Sequence, residues 1–289
     1  MCRSEDFDKL FPDNRQSGSS TLRQAQLVML RMLRVVDYIC RQHDIPYWLC
    51  SGTLLGAVRH QGFIPWDDDL DIAMLREDYE RFLKIALESL PADMFLQTKE
   101  TEPAFDIFSL PCKIRDTKSL IISHNSKNRP YHQGIFIDIF PFDRFHLNGF
   151  RRKKEVWLKI YYNLLCRSFN AELEKDKSFF KMIVSWFKPV FHYLLIKYRR
   201  KVAPVIQGNK KLPDNQCFVG HGFDTQWLRS FRMHDIFPLQ KITFENNMFF
   251  APGNVDAYLK HIYGDTYMTP PPEKERTPSH GTIIKPILE

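Results

Sequence analysis

The sequence predicts an α+β fold with a mixed sheet. Two observations carry this expectation. Short apolar runs of strand character and amphipathic stripes of helix character follow one another without the regular alternation of a doubly wound sheet, and no internal repeat is present. The chain has 289 residues, 44% of them hydrophobic and 26% charged, so it can bury a sizeable core. Wholesale disorder and collagen-like structure are thereby excluded.

Residues 1–20 are polar, contain Ser17-Gly18-Ser19-Ser20, and read as a flexible leader. The start, Met1 to Asp6, lacks the apolar stretch of a signal peptide. The six cysteines are scattered without a CxxC pair, which predicts free thiols, no zinc site and a cytoplasmic setting. No charge-free run is long enough to predict a membrane span. From Leu22 the apolar residues Leu22, Ala25, Met29, Leu33, Val36 and Cys40 recur every three or four positions, as in an amphipathic helix. Ile45 to Cys50 reads as a short buried strand. Ser51-Gly52 breaks it, and Thr53 to Val58 opens a short helix.

Leu70 to Met74 reads as a strand. Tyr79, Phe82, Leu83, Ala86, Leu87 and Leu90 then form the buried stripe of a helix that ends at Pro91. Further strands are expected at Cys112–Arg115, Leu120–Ser123 and Ile135–Phe140, the last stopped by Pro141. Near the end, 242–245 and 248–250 flank Asn246-Asn247, a two-residue hairpin turn. Asn254 caps a final helix carrying Val255, Tyr258, Leu259 and Ile262 and closed by Gly264.

The densest chemical signal is the run Ile64 to Ile72, which contains Asp67, Asp68, Asp69 and Asp71. Four carboxylates in five positions repel one another unless a cation sits between them. On a strand, Asp69 and Asp71 point to one face while Leu70 and Ile72 point to the other. Carboxylates at i and i+2 suit a shared hard divalent cation such as Mg²⁺, and an all-oxygen set argues against zinc. The plain alternative is a solvated acidic loop; the placement between Trp66 and Ile72 favours the metal. Asp138 shares a strand face with Phe136 and Phe140, where a carboxylate is costly unless paired or metal-bound. Ser51-Gly52-Thr53, between strand and helix, could hold a phosphate on backbone amides or be an ordinary turn. Arg59, Lys113 and Arg115 are candidate phosphate contacts, as are Lys274 and Arg276 beyond the strap Pro270–Pro272. His280 is a weaker candidate for proton transfer.

Residues Tyr47 to Met74, YWLCSGTLLGAVRHQGFIPWDDDLDIAM, resemble the signature of the LicD family of phosphocholine transferases, and fukutin-type enzymes carry a related segment. KIRDT at 113–117, GIFIDIFPFD at 134–143 and YGDTYMTPPPEKER at 263–276 agree in order. The resemblance implies a nucleotidyltransferase-like catalytic core. It places phosphate binding on Ser51, Gly52 and Thr53, and Mg²⁺ (or Mn²⁺) on Asp69, Asp71 and Asp138, with Asp67 as a further acidic position. Thr53 stands where the wider superfamily has Gly or Ser. The resemblance also implies a CDP-alcohol donor, CDP-choline first, and a sugar hydroxyl of a surface glycan or lipopolysaccharide as acceptor. A true nucleotidyltransferase passing NMP to a small acceptor, and an idle scaffold of glycan assembly, are the competing readings. A choline would want aromatic walls, for which Trp48, Trp66, Tyr131 and Phe142 are candidates.

The net charge of +7 is uneven. Residues 151–201 hold 14 Lys+Arg against 4 Asp+Glu and are rich in aromatics. The expected organisation is a leader at 1–20, a core at 21–149, a basic aromatic helical insertion at 150–204, and 205–289 completing the core. The run from Phe179 to Ile196, closed by Lys197 to Lys201 and kinked at Pro189, reads either as a helix lying on the inner face of the cytoplasmic membrane, where a lipid-linked acceptor would be met, or as a subdomain packed on the core. A nucleic-acid partner is not expected, because the apolar side is too continuous.

Overall fold

The computed structural model describes residues 4–105, 112–122, 129–170, 188–278 and 283–288. Ser123, His280 and the run from Phe179 to Phe187 lie outside the described residues. Two compact units are present, one from Met1–Asp106, Cys112–Phe140 and His234–Glu289, the other holding Pro141–Met233. Helices and sheets mix in an α+β arrangement.

The first unit begins with helix α1 (Ser4–Leu10) and a 3₁₀ turn at Arg15–Ser17, so the expected leader is folded. Its anchors are apolar and ionic. Phe7 is buried and meets Tyr38 edge to face, as does Phe11. Arg31, itself buried, donates to the Phe11 carbonyl and to Asp8 and Asp93. Arg15 is buried against Asp116, with Nη2 to Oδ1 at 2.6 Å, and donates to the Pro286 carbonyl. Polarity misled the sequence reading because the arginines that hold this segment are themselves polar.

Helix α2 (Thr21–Gln42) starts where Ser20 accepts from the Arg23 amide, and it buries Ala25, Met29, Leu33, Val36 and Cys40 as its periodicity predicts. Strand β1 (Trp48–Leu49) leads into α3 (Ser51–His60). Strand β2 (Asp71–Leu75) is buried at every residue, and α4 (Arg76–Ser89) follows. Tyr79, Phe82 and Ala86 face inward on α4, but Leu87 is 65% exposed and leaves the expected stripe. Strand β3 (Met94–Gln97), not foreseen, pairs antiparallel with β4 (Lys113–Asp116). Strand β5 (Leu120–Ile122) pairs with β11 (Ile283–Lys285).

The long strand β6 (Phe136–His146) does not stop at Pro141. Its first part pairs with β4, Lys113 opposite Asp138, and the order in this unit is β1-β2-β6-β4-β3. From Phe142 it pairs instead with β7 (Cys217–His221) of the second unit. Pro141 sits between the two pairings, where its carbonyl still accepts from the Gly222 amide and no donor is required of it.

Strands β9 (Gln240–Phe244) and β10 (Asn247–Ala251) form the expected hairpin, shifted by one residue. The turn is Glu245-Asn246, at φ 50° and 59°, the left-handed pair that a type I′ turn requires. Glu245 holds that place because its carboxylate accepts from Arg23 and from the Phe63 amide. The final helix, numbered α8 after α5 and α6 of the second unit and a short α7 (Met233–Ile236), spans Val255–Tyr263. Asn254 caps it through the Ala257 amide, and Gly264 ends it at φ 81°.

The second unit packs α5 (Gly149–Asn170) and α6 (Lys188–Asn209) over the later part of β6, β7 and β8 (Ser230–Arg232). Leu158, Tyr162, Leu165, Leu195, Tyr198 and Val202 join Phe145 and Phe223 in one core. One face of the basic stretch is therefore core, and the unit extends beyond it to take in β7 and β8. All five cysteines among the described residues are free and buried. No helix among them is long and apolar enough to cross a membrane.

Truncating Arg15 would leave the Asp116 carboxylate buried without its partner. Arg15→Ala is expected to lower unfolding stability by about 3–5 kcal/mol in urea melts, the cost of breaking a buried pair. A loss under 1 kcal/mol would show that the leader contributes nothing to the fold.

Candidate active site

The acidic run folds as a loop that delivers one carboxylate into the sheet. Strand β2 begins only at Asp71, so Asp69 lies in the loop before it rather than on the same strand face. Asp71 is buried, while Asp67 and Asp69 are partly exposed and Asp68 is buried. The Asp138 amide donates to the Leu70 carbonyl at 2.8 Å, which brings the middle of β6 alongside the start of β2. Asp138 is buried as well.

Helix α3 frames the other side. The Cys50 amide donates to the Asp71 carbonyl, and the Asp71 amide donates to Thr53 Oγ1 at 2.8 Å. Thr53 therefore braces the carboxylate-bearing strand with its side chain, which leaves its expected phosphate contact to the backbone amide. Ser51 turns the chain at φ 48°, and Cys50 gives the helix no side-chain cap. First-turn amides have no preceding helical carbonyl to bond, and a helix start of this kind can accept an anion. Gly52 lets the acidic loop close over that start, since a Cβ there would stand 2.9 Å from Asp67 Oδ2.

Electrostatics fix the character of the site. Burial, and then the nearby charges of Asp69, Asp138 and Asp67, hold the Asp71 carboxyl well above the usual carboxylate range, with Lys113 acting in the opposite sense. Lys113 is buried, its Nζ 2.5 Å from Asp138 Oδ1 and 3.4 Å from the Phe136 ring centre. Burial depresses the Lys113 ammonium, and Asp138 opposes that shift. Lys113, expected at a phosphate, pairs with Asp138 across the strands. The Arg115 guanidinium donates to Gln97 and to the Gly134 carbonyl.

Among the described residues no group of three or more His, Cys, Asp or Glu side chains is gathered tightly enough to hold a metal ion. The donor chemistry nevertheless fits one. A buried carboxyl raised by three like charges is a position that a hard divalent cation relieves, and an all-oxygen set suits Mg²⁺ or Mn²⁺. Asp69, Asp71 and Asp138 would hold it, with Asp67 near.

Cations border the acidic centre. Arg59 on α3 is influenced by Asp67, Tyr263 and Arg276, and burial lowers its affinity for the proton. It donates to His60 Nε2 and to the Tyr267 carbonyl. Arg276, from the segment after the proline strap, stands 5.3 Å above the Trp66 ring, whose edge meets His60. Of the four proposed aromatic walls, Trp48 and Phe142 are fully buried, Tyr131 nearly so, and Trp66 is partly exposed. Tyr263, which the sequence reading passed over, lies close enough that Asp71 and Asp67 help burial to push its phenol up. Its signal was its place at the head of the 263–276 motif.

A raised Asp71 pKa means that the folded chain holds a proton there more tightly than the unfolded chain does. That stabilisation is complete below the ordinary carboxylate range and is lost as pH rises through the raised value. In EDTA, the melting temperature is expected to fall between acid and neutral pH, and Asp71→Asn to remove much of that fall and raise the neutral-pH midpoint by about 2–4 °C. Identical pH profiles for the two proteins would refute the repulsion.

Four similarities to known proteins bear on this geometry. Residues 44–173 match the LicD/FKTN/FKRP nucleotidyltransferase domain family. The chain is 29% identical to the lipopolysaccharide cholinephosphotransferase LicD of Haemophilus influenzae, over 90% of this chain and 96% of that protein. A segment of 45 residues is 53% identical to the human ribitol 5-phosphate transferase FKRP, covering 16% of this chain and 9% of the human one. A segment of 57 residues is 32% identical to the mouse ribitol-5-phosphate transferase FKTN, covering 20% and 12%. The matched stretch takes in the residues that build α3, β2, β4 and β6, so over these elements the chain is similar to the LicD/FKTN/FKRP nucleotidyltransferase domain.

Proposed function

We propose that this chain is a Mg²⁺-dependent phosphotransferase, moving a phospho-alcohol, phosphocholine first, from a CDP-alcohol to a sugar hydroxyl of a surface glycan or lipopolysaccharide with release of CMP. One observation carries the reading: Asp69, Asp67 and Asp138 act on buried Asp71 directly beside the uncapped start of α3. Similarity to LicD along 90% of the chain supports the substrate class.

Phosphoryl transfer asks a protein mainly for positioning and charge neutralisation. A divalent cation on the aspartates would neutralise the donor diphosphate and polarise the attacked phosphorus. The chain's own groups do the rest. First-turn amides of Ser51, Gly52 and Thr53 take phosphate oxygens, and Arg59 and Arg276 hold the outer ones. Trp66 already carries the cation of Arg276 on its face, so the same ring can receive a trimethylammonium. The acceptor hydroxyl oxygen bonds to the phosphorus of the phospho-alcohol. The bond from that phosphorus to the CMP oxygen breaks, its electron pair leaving with CMP. The hydroxyl proton passes to a carboxylate, which we assign to Asp138. The setting is cytoplasmic, where CDP-alcohols and Mg²⁺ are supplied.

Incubation with CDP-choline, CDP-ribitol and CDP-glycerol in Mg²⁺, with a glycan acceptor, is expected to release CMP from one of them. Asp69→Ala and Asp71→Ala should reduce release to background while the far-ultraviolet spectrum stays unchanged. Pyrophosphate release from CTP would instead favour transfer of NMP, and near-normal turnover by either variant would remove the metal assignment.

A further inference from the structure

Helix α5 uses only one of its faces for the core of the second unit. Leu158, Tyr162, Leu165 and Cys166 face inward there. Phe150, Trp157, Tyr161 and Leu164 fall on a separate face, about 115° round the helix and within about 60° of one another at 100° per residue. They are exposed, Phe150 by 83% and Trp157 by 70%. The stripe is about 21 Å long at 1.5 Å per residue. Its borders are cationic: Lys153 projects to one side and Lys154 to the other, both exposed. The sole acidic residue of α5 and α6 is Glu155, which is buried and accepts from Asn209 and from the His146 amide.

We propose that this outer face of α5 is a docking surface for an anionic lipid bilayer, with the helix lying in the plane of the headgroups. Trp and Tyr suit that depth, having apolar rings with one polar atom each. Lysines that border an apolar stripe reach outward to lipid phosphates. The exposed charge of both helices has one sign, so a second copy of this face would repel the first. Leu164 and Val156 offer no ring on which a base could stack, which places a bilayer ahead of single-stranded RNA. The sequence reading expected the anionic contact within residues 151–201; α5 lies in that stretch, upstream of the run from Phe179.

The test uses the full chain with vesicles of phosphatidylcholine alone or with about one third phosphatidylglycerol. Co-flotation is expected only with the anionic vesicles, weakening as salt rises. Lys153→Glu and Lys154→Glu should each weaken partition by at least about fivefold, and Trp157→Ser together with Phe150→Ser should abolish it. Because all four positions are exposed, melting temperature and CMP release with a soluble acceptor should not change, so loss of flotation alone identifies the surface. Absence of flotation at low salt, flotation indifferent to these variants, self-association lost on Trp157→Ser, or RNA binding lost on the same change without vesicle binding would each overturn the proposal.

Discussion

Everything at the centre of the first unit answers to one electrostatic constraint: several carboxylates converge on Asp71, a buried position where charge is expensive. The chain meets it with fixed parts. Thr53 Oγ1 and the Cys50 amide fasten the Asp71 backbone to the start of α3. The missing side chain of Gly52 gives Asp67 room. Lys113 crosses from β4 to pair with Asp138, while Asp71 stays under the charges of Asp69, Asp138 and Asp67. A folded chain that keeps such an arrangement sets aside stability for a function, as strained sites commonly do.

The legible parts of the fold were those written in local periodicity. The stripe of α2, the buried β2, the cap at Asn254 and the closing Gly264 each follow from spacing and residue type, and the structure has them. Less legible were features that depend on partners far away in sequence. Arg15 and Arg31 turn a polar leader into a packed one through Asp116 and Asp93, and no local pattern announces that. Pro141 reads as a stop, yet β6 continues because β7 supplies a new partner beyond it. Leu87 follows the α4 stripe in sequence but points to solvent.

The site divides the same way. That carboxylates would crowd around Asp71 was readable from the density of the acidic run and from an Asp set among phenylalanines; the alternation that put Asp69 and Asp71 on one strand face was not borne out, because β2 begins only at Asp71. The work of Thr53, Lys113 and Arg115 was not, because cation and hydroxyl side chains have several uses and only the cross-strand register decides among them. Register sets Lys113 directly opposite Asp138, and it places Arg115 where Gln97 and Gly134 take its donors. The charge excess, a property of the whole chain by composition, resolves likewise: the two basic helices bury one face in the second unit's core and expose most of their cations, while Lys159 is buried on the carbonyls of His221, Gly222 and Thr225.

The central claim is that the carboxylates around Asp71 form a divalent-cation site. Anomalous scattering from a crystal of the full chain soaked in Mn²⁺ with a CDP-alcohol tests it most directly. The account predicts a manganese peak in contact with carboxylate oxygens of Asp69, Asp71 and Asp138. A bound nucleotide with manganese held elsewhere, or with none on those aspartates, would contradict it.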